Sequence, residues 1–210
     1  MIRLPVSILI IAEGYEEEAY LKKLFQFPCF SRGNYTFIVK NANGNGNIAP
    51  RYQDEYSKNR YDLILVFCDG DNNSEQYREI VEDICVGIFN DRSLEDDLIV
   101  FANPVTLQIV LSHFGEVKLT HVAKKKNAKE VKLLTGIDNY DAEEGQVNAM
   151  VEKIFYRSYK PMKDRIKTIS TSVEESPSTN FLRHLEQFER SDTDWVETLI
   201  RRLNDSGSQE

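Results

Sequence analysis

The sequence predicts an α/β fold, a parallel sheet flanked by helices and followed by a helical C-terminal extension. Apolar runs of strand length recur at Val6–Ala12, Tyr61–Phe67 and Asp97–Ala102, and they are nearly continuous, as in strands buried on both faces. Between them lie segments with apolar residues at helical spacing, and this alternation calls for right-handed crossovers and a parallel sheet. From Gly115 onward the pattern changes to basic tracts and helical stripes. The expected division is therefore 1–115 as the α/β core and 116–210 as the mostly helical extension.

The first strand, Val6–Ala12, ends at Glu13-Gly14. Glu16 to Phe27 follows as an amphipathic helix, with Ala19, Tyr20, Leu24 and Phe27 on one side, acids in its first turn and Lys22-Lys23 later, to suit the helix dipole. Glu17 falls where it can lean over the sheet edge, whereas Glu16 and Glu18 read as a solvated helix start. Asn34–Lys40 is a further strand, and the Gly/Asn-rich Asn41–Asn47 reads as a flexible connection, since it lacks the Gly-Lys-Ser/Thr ending of a phosphate-cradling P-loop. Pro50–Asn59 suits a short crossover helix. Ser74–Phe89 carries Tyr77, Ile80, Val81, Ile84, Cys85 and Ile88 at helical spacing. After Asp97–Ala102 and Asn103-Pro104, Val105–Phe114 is expected as a mostly buried helix.

In the extension, Gln146–Tyr156 has a stripe of Val147, Met150, Val151, Ile154 and Phe155. Ile169–Thr179 reads as a mobile linker or exposed loop. Ser178 or Thr179 starts a helix through Phe188, and Ser191 or Asp192 caps a last one through Leu203, with a frayed tail from Asn204.

The chain's 210 residues suffice for a full core, and its net charge of −8 argues against a general nucleic-acid coat while leaving room for a local basic groove. Lys118, Lys124, Lys125, Lys126, Lys129 and Lys132 form one basic tract; Arg157, Lys160, Lys163, Arg165 and Lys167 form another. Lys124, Lys125, Lys126, Lys160 and Lys163 are candidate phosphate contacts, the competing reading being a solvated face. Cys29, Cys68 and Cys85 show no CxxC pairing, which points away from a disulfide framework or structural zinc and toward a reducing, cytoplasmic setting. The opening residues lack the pattern of a cleaved leader, and no run is long enough to span a bilayer.

The chemistry centres on Asp69-Gly70-Asp71. In extended chain two acids two apart project to one side, and the C-terminal edge of an open sheet is where such folds place their sites. The plain alternative is a polar turn, for which Asp, Gly and Asn are ordinary residues. Glu13 reaches the same edge from the first strand. Three carboxylates converging there call for a hard cation, Mg²⁺ or Mn²⁺, and a metal so held serves phosphodiester chemistry.

Glu13-Gly14 with Glu17 on the next helix, and Asp69-Gly70-Asp71 after a later apolar strand, resemble the two signatures of the Toprim domain. More narrowly, this order, the Gly-rich loop between, and Asn103-Pro104 running to His113-Phe114 are similar to RloB-like (AbiLii-type) proteins. The resemblance spans roughly residues 5–115. It implies a Toprim-like (Rossmann-like) sheet and a Mg²⁺-dependent nuclease in antiviral or abortive-infection defence, activated by an ATPase encoded nearby. Carried over, it makes Glu13 a general acid or base or a metal ligand, Asp69 and Asp71 metal ligands, Glu17 an accessory acid and His113 a catalytic candidate. His113 and His121 read from their spacing as packing and capping groups instead. One departure stands out: Val105-Thr106-Leu107-Gln108 has no carboxylate where the pattern expects a glutamate, and none follows until Glu116. That favours a competing reading, a catalytically degenerate module that binds a partner or nucleic acid. Receiver and haloacid-dehalogenase-like domains are disfavoured by order, because their acids follow different strands. Expected partners are nucleic acid and the ATPase, with no membrane, and homo-oligomerisation is left open.

Overall fold

The computed structural model describes residues 5–30 and 34–206. Four strands run parallel, β1 (Val6–Ala12), β2 (Tyr35–Asn41), β3 (Leu63–Asp69) and β4 (Ile99–Asn103), and a two-residue β5 (Ser178–Thr179) pairs antiparallel with β4. The spatial order is β2-β1-β3-β4-β5. The chain thus leaves β1 on one side and continues from β3 on the other, so a crevice opens between their C-terminal ends, where α/β sheets hold their ligands.

All seven residues of β3 are buried, as are six of the seven in β1. Both therefore read as apolar runs rather than alternating ones. Their register is pinned at the other edge by Asp62, whose carboxylate accepts from the Ser7 backbone N–H at 2.7 Å and its hydroxyl at 2.6 Å.

The helices are α1 (Tyr15–Leu24), α2 (Ile48–Ser57), α3 (Glu75–Val81), α4 (Glu95–Leu98), α5 (Leu107–Leu111), α6 (Ala128–Thr135), α7 (Glu144–Glu152), α8 (Tyr159–Ile166), α9 (Phe181–Phe188) and α10 (Asp194–Ser206). A π-type turn, Glu82–Val86, prolongs α3. None of the described helices is long and apolar enough to cross a membrane. The extension shares the core of the sheet: Phe181 of α9 packs on Phe67 of β3 at 5.1 Å between ring centroids, and Phe188 on Phe37 of β2 at 5.0 Å.

The structure departs from the sequence reading in several places. Of the two readings of 169–179, the exposed loop holds for 171–176 and the free linker does not. Ser170 bridges Ser178, and Asn103 Nδ2 donates to the carbonyls of Val173 and Glu175 at 3.1 and 2.6 Å. Phe155 is not in the α7 stripe, because the helix ends at Glu152 and leaves that ring 53% exposed. The last helix runs on through Ser206 rather than fraying from Asn204. The opening residues 1–4 and the tail 207–210, on which two sequence readings fell, lie outside the described residues.

Asn180 extends the function of β5 by a side chain. Its amide accepts from Phe101 N at 2.9 Å and donates to Ile99 O at 2.8 Å, completing the outer ladder of β4 where β5 has ended. Asn180→Ala leaves both buried backbone groups unpaired and should cost about 2–4 kcal/mol, read as a lowered urea midpoint with unchanged slope.

Candidate active site

The site is assembled where β1 and β3 end. Glu13 follows β1, and its Oε2 accepts from the Asp69 backbone N–H at 2.9 Å. Asp69, the last residue of β3, is 4% exposed, and its Oδ1 accepts from Thr106 N at 2.6 Å. Thus two of the sequence-predicted acids meet across the crevice. Glu17 joins them: in the first turn of α1 its Oε2 reaches back to the Gly14 N–H at 3.0 Å, while Oε1 lies 3.5 Å from Lys124 Nζ.

Gly70 is required by what lies beside it. A Cβ there would fall 2.9 Å from the Asn103 Cβ, because the turn after β3 is laced to the end of β4. Gly70 N donates to Ala102 O at 2.8 Å, Asp71 N to Pro104 O at 3.0 Å, and Asn72 N to Asn103 Oδ1 at 2.7 Å. Asp71, Asn72 and Asn73 then take three successive left-handed conformations, with φ of 49°, 57° and 55°. Asp and Asn tolerate that region better than other side chains with a Cβ. Asp71 is therefore not two places along an extended strand from Asp69, as its spacing suggested. Asn45 stands between Asp71 and Glu13: with its amide nitrogen turned to Glu13 it donates to both carboxylate oxygens at 2.7 Å, and with the amide turned the other way it reaches Asp71 Oδ2 at 3.5 Å. The loop around Asn45 is accordingly part of the site and not merely a flexible connection; Gly44 N also donates to Glu13 O at 2.8 Å.

The cation of the cluster is Lys124. Its ammonium lies 2.5 Å from Glu16 Oε2, 3.5 Å from Glu17 Oε1 and 3.7 Å from Asp69 Oδ2. Two sequence readings are corrected here. Glu16 is 3% exposed and not a solvated helix start; it also accepts from the Tyr140 hydroxyl at 2.6 Å. Lys124 turns inward and is spent on carboxylates, so it does not belong to an open phosphate-binding face. Of the other candidates, Lys125 pairs with Asp141 at 3.2 Å and Lys163 with Glu189 at 2.8 Å, while Lys126 and Lys160 are exposed.

His113 stands apart from these contacts. It is 5% exposed, with Nε2 3.1 Å from the Tyr20 hydroxyl and Nδ1 2.8 Å from the Ser158 hydroxyl. Burial, helped by the Arg165 charge, pushes its pKa down to about 3, so it is a neutral packing group at physiological pH. His121 is exposed.

Crowding of acids in a buried place raises their pKa values. Burial first, then the Asp69 and Glu17 charges, push Glu13 up to about 9. Burial pushes Glu17 up to about 7 and Asp69 up to about 6, in both cases against the pull of Lys124. Asp71 is raised as well, chiefly by burial. Burial alone would lower Lys124, but Glu16, Asp69 and Glu17 outweigh it and hold the ammonium charged.

A folded state that binds these protons more tightly than the unfolded chain loses stability as pH rises from the unfolded carboxylate range through the folded values. His113 and His184, held down at about 3 and about 4, act oppositely below the ordinary histidine value of 6.5. The decline between pH 6.5 and about 9 therefore reports mainly Glu13. Urea midpoints should fall across that interval without divalent cation, and Glu13→Gln should flatten the fall.

Among the described residues, no three acid, histidine or cysteine side chains stand ready as a cage for a metal ion. The donor set still fits Mg²⁺ or Mn²⁺ chemically, since these hard ions take one or two carboxylates and complete their shells with water and phosphate oxygens. The Thr106 hydroxyl adds an oxygen beside Asp69 that is wholly buried and lacks a sound hydrogen-bond partner. No protein-family model, curated protein or solved structure matches the chain.

Proposed function

We propose that the chain is a Mg²⁺- or Mn²⁺-dependent phosphodiester hydrolase, a nuclease acting on DNA or RNA. The observation that supports this reading best is the meeting of Glu13 and Asp69 at the β1/β3 crevice, in a buried acid cluster held together by a positive charge. A divalent cation bound to Glu13, Asp69 and Asp71 would supply Lewis-acid polarisation of a phosphate oxygen and an activated water. The chain's own residues hold and orient. Where the cation is held by Asp69 and Asp71 alone, Glu13, kept protonated at neutral pH by burial and by the Asp69 and Glu17 charges, would carry the proton for a leaving oxygen; where Glu13 is itself a ligand, it gives that proton up. Thr106 N and Asp69 N fix the two carboxylates, and Asn45 ties Glu13 to the loop above it.

The resemblance noted in the sequence extends the reading to antiviral defence with a partner ATPase. The buried thiols of Cys68 and Cys85 suit a reducing cytoplasm. A second reading, a degenerate module that binds without cutting, draws support from Lys124 and from the lack of an acid among Val105–Gln108.

The test is incubation of the purified chain with plasmid DNA and with tRNA, in Mg²⁺, Mn²⁺ or EDTA, alone and with any ATPase encoded beside it. Cutting that needs metal and disappears in Glu13→Gln supports the hydrolase. Binding without cutting in every condition supports the module.

A further inference from the structure

Beyond the acid cluster the molecule carries a cavity of about 450 Å³ between α2 and α10, an exposed Phe155–Tyr156 pair, and the segment that delivers Lys124. Only the last is tied to a specific chemistry. Residues 120–126 form an exposed strap in which Lys124 alone turns its side chain partly inward. The strap is fastened at its ends. Before it, Leu119 is buried and Gln108 grips the backbone with both halves of its amide, Nε2 donating to Val117 O at 2.9 Å and Oε1 accepting from Leu119 N at 2.8 Å. After it, Asn127 is buried, and its amide closes the strap on itself by donating to His121 O at 2.8 Å.

A glutamate at Gln108 could not make the donating half of that grip. Within the stretch after Asn103-Pro104 where an acid was expected, Gln108 therefore carries an amide that holds the strap, and the strap brings a cation to the acids. Between its anchors the strap buries little beyond Lys124, so withdrawing that residue disturbs few other packed groups. Its ammonium sits within 4 Å of three carboxylates, a charge arrangement that a divalent cation would also satisfy.

We propose that Lys124 is a built-in, exchangeable counterion. It neutralises the acid cluster before metal is bound, and a divalent cation bound at Asp69, the carboxylate both would share, displaces it, the strap 120–126 moving outward as it does. This rests on the hydrolase reading only in requiring that the cluster bind a divalent cation. Metal entry then carries the cost of eviction, so the apparent affinity is the intrinsic affinity reduced by the fraction of molecules with Lys124 withdrawn. Loading also frees an ammonium next in the chain to the exposed Lys125 and Lys126, which links cation binding to recruitment of a polyanion.

The experiment uses the full chain and Mn²⁺ alone as probe. Mn²⁺ binding is measured by electron paramagnetic resonance for the wild type, Lys124→Met and Lys124→Gln, and hydrogen exchange of 118–127 is followed in the wild type with and without Mn²⁺. Expected are a dissociation constant about tenfold or more lower in a folded Lys124 variant, and faster exchange of the wild-type strap on loading. The proposal is overturned if Mn²⁺ binds wild type and variants equally well and strap exchange is unchanged; the cation site then survives without the exchange. If neither wild type nor folded variants bind Mn²⁺, the cation site fails and the proposal with it. Should both variants fail to fold, exchange in the wild type decides alone: faster exchange supports the proposal and unchanged exchange overturns it.

Discussion

Asp69→Asn should make the metal-free protein more stable above neutral pH and lower metal-dependent cleavage about a thousandfold. The two effects have opposite sign because one carboxylate is costly to the fold and needed by the chemistry. In the fold, Asp69 is 4% exposed, and its pKa is pushed up to about 6 by burial despite Lys124, so keeping it ionised at pH 8 costs stability. Asparagine retains an oxygen to accept from Thr106 N, the bond Asp69 makes at 2.6 Å, and removes the charge. The gain should be about 1–3 kcal/mol at pH 8 and vanish near pH 4, where Asp69 is protonated in the folded state. In the reaction, losing a carboxylate that fixes the cation removes several kcal/mol of charge stabilisation, and about 4 kcal/mol corresponds to the stated factor. Urea titrations at pH 4 and 8, beside initial cleavage rates in Mg²⁺, check both halves. A loss of stability at pH 8 would mean that Asp69 is retained for structure.

Lys124→Met has the reverse signature. It removes the charge that faces Glu16, Glu17 and Asp69 while keeping a side chain of similar reach. Breaking one partner from a buried ionic group typically costs about 3–5 kcal/mol, because the remaining charges stay desolvated. At low pH Glu17 and Asp69, whose pKa values burial pushes up to about 7 and about 6, are protonated and the cost shrinks, so the variant should differ most from wild type at pH 8 and least at pH 4. Combining Lys124→Met with Asp69→Asn should cost less than the sum of the separate changes, since one of the stranded acids is then neutral. Denaturant midpoints across the four proteins measure that coupling, and strict additivity at pH 8 would show that the lysine and the aspartate do not act as a pair.

The strands that carry Glu13 and Asp69 were legible because they are buried on both faces, which leaves an unbroken apolar run that only a parallel interior strand explains well. Glu17 was legible too: with Tyr20, Leu21 and Leu24 it completes the i, i+3, i+4, i+7 stripe that α1 buries. Glu16 and Lys124 were not. Three successive acids and three successive lysines each look like solvated charge, and which member turns inward depends on how the strap from a distant part of the chain crosses α1. Asn45 was hidden for a related reason. Its loop has the composition of a flexible connection, and only the turn of the chain over the end of β1 brings the amide to Glu13. The two-residue β5 gives no periodic signal at all, since its place is set by pairing with β4 and not by its own pattern.

The way α9 and β5 finish the sheet bears on how the protein is made. Until residues 178–188 have emerged from the ribosome, the outer edge of β4 has no partner and Phe67, Phe37 and Tyr20 lack the rings of Phe181 and Phe188 that cover them. A nascent chain holding only the first four strands exposes an unpaired strand beside an aromatic surface, the combination that draws chains together. Vectorial synthesis therefore leaves an aggregation-prone interval that closes only once residues 178–188 have emerged, and chain truncations before residue 178 should be shielded by chaperones or lost to inclusion bodies.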